Sequence, residues 1–265
     1  MKEKTVWELF DLSGKVALVT GATGYLGNAM AKGLSEAGAA VIISSRDKER
    51  AVSAAEKLSA ESGNSFYGVE MDHLSEESIN RGFEDGLKQA GRIDILVNNA
   101  HFGLEAGWHN VTSEEFNTQL SNATGYFLLS RLVHDHAVIS GREASIIMLG
   151  SIYGMVGGYP EVYEDRECGS LAAYHALKAG VINMVRHLGV YWAGDNVRVN
   201  CLTPGTFPPL EKVGKELFER YASKSPMKRN GVPEEIKGAV VFLASEASSY
   251  MTGANLVIDG GWTAC

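Results

Sequence analysis

The stretch Val16-Ala17-Leu18-Val19-Thr20-Gly21-Ala22-Thr23-Gly24-Tyr25-Leu26-Gly27 decides the fold. Its first five residues are apolar or β-branched throughout, which predicts a strand covered on both faces. Glycines at 21, 24 and 27 follow, and Leu26–Ala37 then takes helical spacing. Glycines allow a tight turn and let the backbone approach a pyrophosphate, whose charge then rests on a helix N-terminus. A strand, a glycine loop and a helix in that order are the context such a motif requires. Gly21, Thr23, Gly24, Tyr25, Leu26 and Gly27 are therefore candidate dinucleotide contacts.

The same alternation continues outward. Short apolar runs at 40–43, 66–69, 93–97, 145–149, 197–202 and 255–258 predict further strands. Helical spacing fills 48–62, 76–90, 113–137, 172–192 and 233–244. Strand and helix in repeated alternation predict an α/β fold, a Rossmann-type doubly wound parallel sheet with helices on both faces. No repeat or linker interrupts it, so residues 1–265 form one expected domain. Two loop-like segments, 154–170 and 205–225, follow predicted strands, at the sheet edge where such folds bind ligands.

Composition narrows the function classes. Twenty-four Lys and Arg against 32 Asp and Glu give a net charge of −8, which argues against nucleic acid and anionic membranes as partners. Cys168, Cys201 and Cys265 lie far apart, without a CxxC pair, as expected in a reducing compartment. No apolar run approaches the ~20 residues of a membrane span. The opening Met1-Lys2-Glu3-Lys4 leads into no apolar signal core, so a cytoplasmic location is expected. His134 and His136 are two apart on a helix and share no face, and no HExxH occurs, so no metal site is expected.

The second strand ends in Ser44-Ser45-Arg46-Asp47. An acid at the strand tip would hold a ribose 2′-hydroxyl and favour NAD, whereas Arg46 suits the 2′-phosphate of NADP. NADP is the expected cofactor, with NAD the alternative. Further along, Tyr174 and Lys178 stand four apart on a predicted helix and share one face. A nearby ammonium stabilises a phenolate, which turns an inert phenol into a usable general acid or base.

The chain resembles the short-chain dehydrogenase/reductase family from Leu12 to Gly261. The matching residues arrive in that family's order: Thr20–Gly27, Asp72, Asn98-Asn99-Ala100, Asn122, Ser151, Tyr174 with Lys178, and Pro204-Gly205. The resemblance implies hydride transfer between NADP(H) and a carbonyl or secondary alcohol. It implies that Tyr174 moves the proton, Ser151 polarises the carbonyl, Lys178 lowers the Tyr174 pKa and holds the nicotinamide ribose, and Asn122 supports a proton path to Lys178. It further implies contacts from Asp72 to the adenine, from Asn98 near the adenosine ribose, and from Ala100, Pro204, Gly205 and Phe207 to the cofactor. It also implies a homotetramer paired through the helices 113–137 and 172–192.

Several positions depart from the family pattern. Tyr25 stands at the place of the second glycine of TGxxxGxG, His101 replaces the glycine after Asn-Asn-Ala, and Pro209 replaces a threonine. Ser151 and Tyr174 are 23 residues apart, so roughly ten residues are inserted at about 154–170, where a loop can shape substrate choice. The insert carries Tyr159, Glu161, Tyr163, Glu164, Asp165 and Arg166. Its polarity predicts a hydroxylated substrate and is similar to that of reductases that modify sugars, those acting on flagellin included. The opening Leu9–Lys15 is similar to keto-gluconate reductases. Two alternatives stand beside a sugar-like substrate: a 3-oxoacyl or general ketone reductase, and a non-catalytic NAD(P)H-binding sensor.

Overall fold

The computed structural model describes residues 3–104, 109–163 and 171–265. Its strands are β1 (Val16–Thr20), β2 (Ala40–Ser45), β3 (Phe66–Glu70), β4 (Ile95–Asn98), β5 (Ala144–Leu149), β6 (Val197–Pro204) and β7 (Asn255–Ile258). Its helices are α1 (Val6–Phe10), α2 (Tyr25–Glu36), α3 (Lys48–Ser62), α4 (Glu76–Ala90), α5 (Ser113–Ser140), α6 (Ala172–Tyr191), α7 (Leu210–Val213), α8 (Lys215–Lys224) and α9 (Lys237–Ala244). The strands form one sheet in the order β3-β2-β1-β4-β5-β6-β7, parallel at every pairing. The order reverses between β1 and β4, which opens a crevice at their carboxyl ends.

Successive side chains on a strand point to opposite faces, and here each face feeds its own core. Leu18, Ile42, Leu96, Ile146 and Val199 pack with α4, α5 and α6. Ala17, Val19, Ile43, Val97 and Leu202 pack with α2, α3 and α9. Coverage on both sides explains why β1 and β5 are buried at every position. The helices end where chemistry stops them. Asp47 caps α3 by accepting from the Arg50 amide, a Thr112–Glu115 capping box opens α5, and Gly63 and Gly141 close them with positive φ.

The doubly wound sheet is the fold read from the sequence, and β1, β7, α3 and α4 have the expected boundaries. The differences have physical causes. The segment 205–225 is not a loop throughout: it holds α7 and α8, and α8 buries only Leu217. The helix α1 buries nothing and is held by a Thr5–Glu8 capping box, so no apolar stripe marks it. Residues 233–236 form a 3-10 turn before α9, opened by Pro233. Val181, Val185 and Leu188 of α6 lie in the core, while Val190 and Tyr191 at its end are exposed.

The inserted segment is docked over its described part. Its residues 164–170, including Glu164, Asp165, Arg166 and Cys168, lie outside the described residues. Before them, 3-10 turns at Ile152–Gly154 and Pro160–Val162 build a third, smaller core from Ile152, Val162, Tyr163, Leu217 and Trp262. This core joins the turn after β5 and the insert to α8 and the end of the chain. Among the described residues no helix is long and apolar enough to cross a membrane.

Candidate active site

The glycine loop lies in the crevice. Gly21 has φ +64°, and a Cβ on Gly27 would stand 2.4 Å from the Gly21 carbonyl oxygen and 2.6 Å from Asn99 Nδ2. Only glycine lets the loop close this tightly on α2. Thr20 Oγ1 accepts from the amides of Asn99 and Ala100, each at 2.9 Å, and Asn99 Nδ2 donates to the Thr20 carbonyl at 2.8 Å. These bonds tie the ends of β1 and β4 together. Gly24 caps α2 without a side chain, which leaves first-turn amides for an anion.

A groove of about 820 Å³ opens in front of this loop. Gly21, Thr23 and Gly24 line one wall, Ala100 and His101 another, and Ser45, Arg46, Arg50 and Lys212 the mouth. No ion pair engages Arg46, Arg50 or Lys212 among the described residues. Asp47 beside them is already accepting from the Arg50 amide at 3.0 Å. The mouth is thus locally positive on a chain of net charge −8. An uncapped helix end, a glycine cradle and unneutralised guanidinium groups fit a phosphorylated dinucleotide.

Ser151, Tyr174 and Lys178 stand together beyond His101, which lines the groove and meets the Tyr174 ring edge-on. Gly154 lets the turn after Ser151 press onto α6: a Cβ there would lie 2.6 Å from the Lys178 carbonyl carbon. The hydroxyls of Ser151 and Tyr174 hydrogen-bond each other. Lys178 Nζ donates to the Leu149 carbonyl at 2.7 Å and sits 5.8 Å from the Tyr174 ring centre and 5.6 Å from that of Tyr126. Burial pushes the Lys178 pKa down to about 8. Burial also holds the Tyr174 phenol above its ordinary value, and the Ser151 hydrogen bond offsets only part of that. Desolvation is the largest influence on Tyr174, and the lowering expected from Lys178 is not among those that act on it.

Other expected site residues fall in different places. Asn98 shares a strand face with Leu96, so its side chain turns from the groove into α5. There its Nδ2 donates to the Tyr126 carbonyl and to Ser130 Oγ, and it is Asn99 that lines the groove. The Asn122 side chain is likewise consumed by its neighbours. Its Oδ1 accepts from the Phe102 amide at 2.8 Å and meets His73 Nε2 at 2.7 Å, while its Nδ2 donates to the Gln119 and Phe102 carbonyls. It holds the groove wall and makes no side-chain bond to Lys178. Asp72 caps a turn by accepting from the Leu74 amide, with Met71 and His73 lining the groove on either side of it. Tyr25 is exposed at the head of α2, and Leu26 packs on the core. Pro204 ends β6, and the Gly205 amide bonds the Ile258 carbonyl at 2.8 Å. Phe207 turns its ring onto Gly231, lining a separate pocket of about 110 Å³.

Sequence reasoning missed several groups. His101 lies edge-on to Tyr174, ring centres 5.2 Å apart at 74°, and Gln119 Nε2 meets its Nε2 at 3.2 Å. Its ring is open to the groove, yet desolvation by the surrounding protein, with Lys178 and His73 nearby, holds its pKa down at about 3. It is a neutral imidazole beside the phenol. Arg50 and Lys212 also went unread, although Arg50 stands in the first turn of α3, just past Arg46.

Comparisons with known proteins agree with this geometry. The family model described as enoyl-(acyl carrier protein) reductase matches residues 21–263. A 3-oxoacyl-(acyl-carrier-protein) reductase of Aquifex aeolicus is 36% identical over 94% of this chain and 98% of its own. A short-chain type dehydrogenase/reductase structure from Mycobacterium marinum superposes with a TM-score of 0.90 at 31% identity, covering 98% of this chain and 100% of that one. A gluconate 5-dehydrogenase from Burkholderia cenocepacia, in complex with NADP and tartrate, has a TM-score of 0.88 at 27% identity, covering 98% and 100%. The chain belongs to the short-chain dehydrogenase/reductase family and is an oxidoreductase acting between alcohols and carbonyls.

Proposed function

We propose that the protein is an NADP(H)-dependent oxidoreductase that reduces the carbonyl of a small, hydroxylated, sugar-like molecule, with Ser151, Tyr174 and Lys178 as its catalytic residues. The observation that carries this reading is the Ser151–Tyr174 hydroxyl pair, with Lys178 one helical turn away, set against His101 of a groove whose mouth holds Arg46 and Arg50. Gly21, Thr23, Gly24 and the first turn of α2 would hold the pyrophosphate, and Arg46 with Arg50 a 2′-phosphate. NADP(H), when bound, supplies or removes the hydride. A carbonyl oxygen seated against Ser151 and Tyr174 accepts two hydrogen bonds, which answer the negative charge it gains as the bond order falls. Tyr174 then releases its proton to that oxygen, and the Lys178 ammonium stabilises the phenolate left behind. A phenol held above its ordinary pKa by burial carries its proton, the form that can donate to a carbonyl oxygen.

The substrate class is supported by the polar insert beside Ser151 and by the resemblance to a gluconate 5-dehydrogenase. The Aquifex relative favours a second reading, reduction of 3-oxoacyl thioesters. Assembly as a homotetramer in the cytoplasm belongs to the same proposal. It is supported by the exposed Val190 and Tyr191 at the end of α6. The test is NADPH oxidation at 340 nm with a panel of ketoses, keto-sugar acids and 3-oxoacyl thioesters. Turnover confined to hydroxylated carbonyls is expected; turnover confined to the thioesters would overturn the substrate reading.

A further inference from the structure

Tyr153, Tyr163 and Tyr221 converge from three separate parts of the chain. Tyr153 lies two residues past Ser151, Tyr163 is on the described part of the insert, and Tyr221 is on α8. The hydroxyls of Tyr153 and Tyr163 are directly bonded, and Tyr221 Oη donates to Tyr163 Oη at 3.2 Å. The rings of Tyr163 and Tyr221 meet edge to face, 5.9 Å apart at 83°. The Tyr153 ring is stacked at 4.7 Å on His175, the residue after Tyr174.

We propose that these three phenols form a subsite that reads the hydroxyl groups of a neutral polyol-like substrate. This rests on the reading of the protein as a reductase of hydroxylated carbonyls and names the substrate class further. The argument is a proton count. Three hydroxyls carry three protons, and two contacts use two of them. With Tyr221 donating to Tyr163, one of the three protons is left without a partner in the cluster, that of Tyr153 where Tyr163 donates to it and that of Tyr163 where Tyr153 donates. The cluster therefore keeps one donor to offer, and the arrangement that leaves it on Tyr153, whose amide donates to Ser151 Oγ, polarises it by the two bonds behind it. Tyr153 and Tyr221 are each only partly buried, so both ends of the row are within reach of solvent. Tyr174 lies within electrostatic range of both.

The cluster favours a neutral ligand over a carboxylate. Burial keeps Tyr153 and Tyr163 protonated well beyond neutral pH. Among the described residues, the cations Lys224 and Arg220 of α8 are already engaged, by Glu161 and Glu216. A site that hydrogen-bonds a substrate hydroxyl discriminates strongly against an analogue lacking it, because its own polar groups are then left unpaired.

The experiment measures binding to the full-length protein saturated with NADPH, which forms non-reacting complexes with alcohols. Mannitol, gluconate and cyclohexanol are titrated by saturation-transfer NMR against wild type, Tyr153→Phe and Tyr221→Phe, and each variant's melting temperature is recorded. Wild type is expected to bind mannitol more tightly than either other ligand. Tyr153→Phe is expected to weaken mannitol at least fivefold and cyclohexanol less than twofold, with Tyr221→Phe acting in the same direction. Preference for gluconate, no mannitol binding, mannitol binding unchanged in both variants, or equal losses for mannitol and cyclohexanol would overturn the proposal. Failure of the underlying reading looks different: no hydroxylated carbonyl would oxidise NADPH in the turnover assay.

Discussion

Replacing Lys178 with Met separates the energetics of the buried ammonium from its chemistry. Lys178 is 4% exposed, and its Nζ has the Leu149 carbonyl and two aromatic rings around it but no ion pair among the described residues. Desolvation lowers its pKa from 10.5 to about 8. At about 1.4 kcal/mol per pKa unit, the folded state disfavours the charged form by about 3 kcal/mol. Between those two pKa values the unfolded chain holds a proton that the folded chain has released. Stability contributed by this group therefore rises with pH across the window and is absent below pH 8. The Lys178→Met variant has no such dependence. Urea unfolding of both proteins at pH 7 and pH 10.5 should show their difference moving by about 3 kcal/mol in favour of wild type at the higher pH. The variant should be inactive at both. A difference that does not move with pH would refute the burial argument, whatever the variant's stability at pH 7.

Arg46→Asp should weaken NADPH by roughly tenfold to a hundredfold, the range of a charge-assisted hydrogen bond worth about 1.5–3 kcal/mol, and leave NADH nearly unchanged. Fluorescence titration of both cofactors checks this, and equal losses for the two would count against a 2′-phosphate site. Gly27→Ala places a methyl 2.4 Å from the Gly21 carbonyl oxygen, which cannot yield without moving the loop. An overpacking cost of about 1–3 kcal/mol should lower the melting temperature by roughly 2–10 °C and weaken NADPH binding at the same time. Light scattering coupled to size exclusion should give a mass about four times the 28.5 kDa chain at micromolar concentration, and a monomer would contradict the assembly.

The sheet was legible because each strand is a short apolar, β-branched run, buried on both faces, and the glycine loop follows the first of them directly. Tyr174 and Lys178 were legible because four residues make one helical turn. Asn98 and Asn99 show the limit. Neighbours on a strand point to opposite faces, and the motif names both residues without saying which one faces the groove. Continuing the alternation from Leu96 would have placed Asn98 on the side of α5. The hydrogen bonds of Asn122 to His73 and Phe102 were not legible, since those residues lie 49 and 20 positions away and no local pattern connects them to it. The lowered pKa of Lys178 depends on desolvation by the whole fold, beyond the reach of spacing. The docking of the insert onto α8 joins Glu161 to Lys224 and Tyr163 to Tyr221 across some sixty residues, a contact that polarity alone does not reveal.

The central claim is that Tyr174 moves the proton in a reaction for which the groove supplies the NADP(H) site. Its most direct test compares wild type with Tyr174→Phe in two readings on one sample: NADPH affinity by fluorescence titration, and turnover at 340 nm with the best carbonyl substrate of the panel. The account predicts NADPH affinity within about twofold of wild type and turnover lower by roughly 10²–10⁴, the contribution of a positioned general acid. Turnover within a few-fold of wild type, with NADPH still bound, would contradict it.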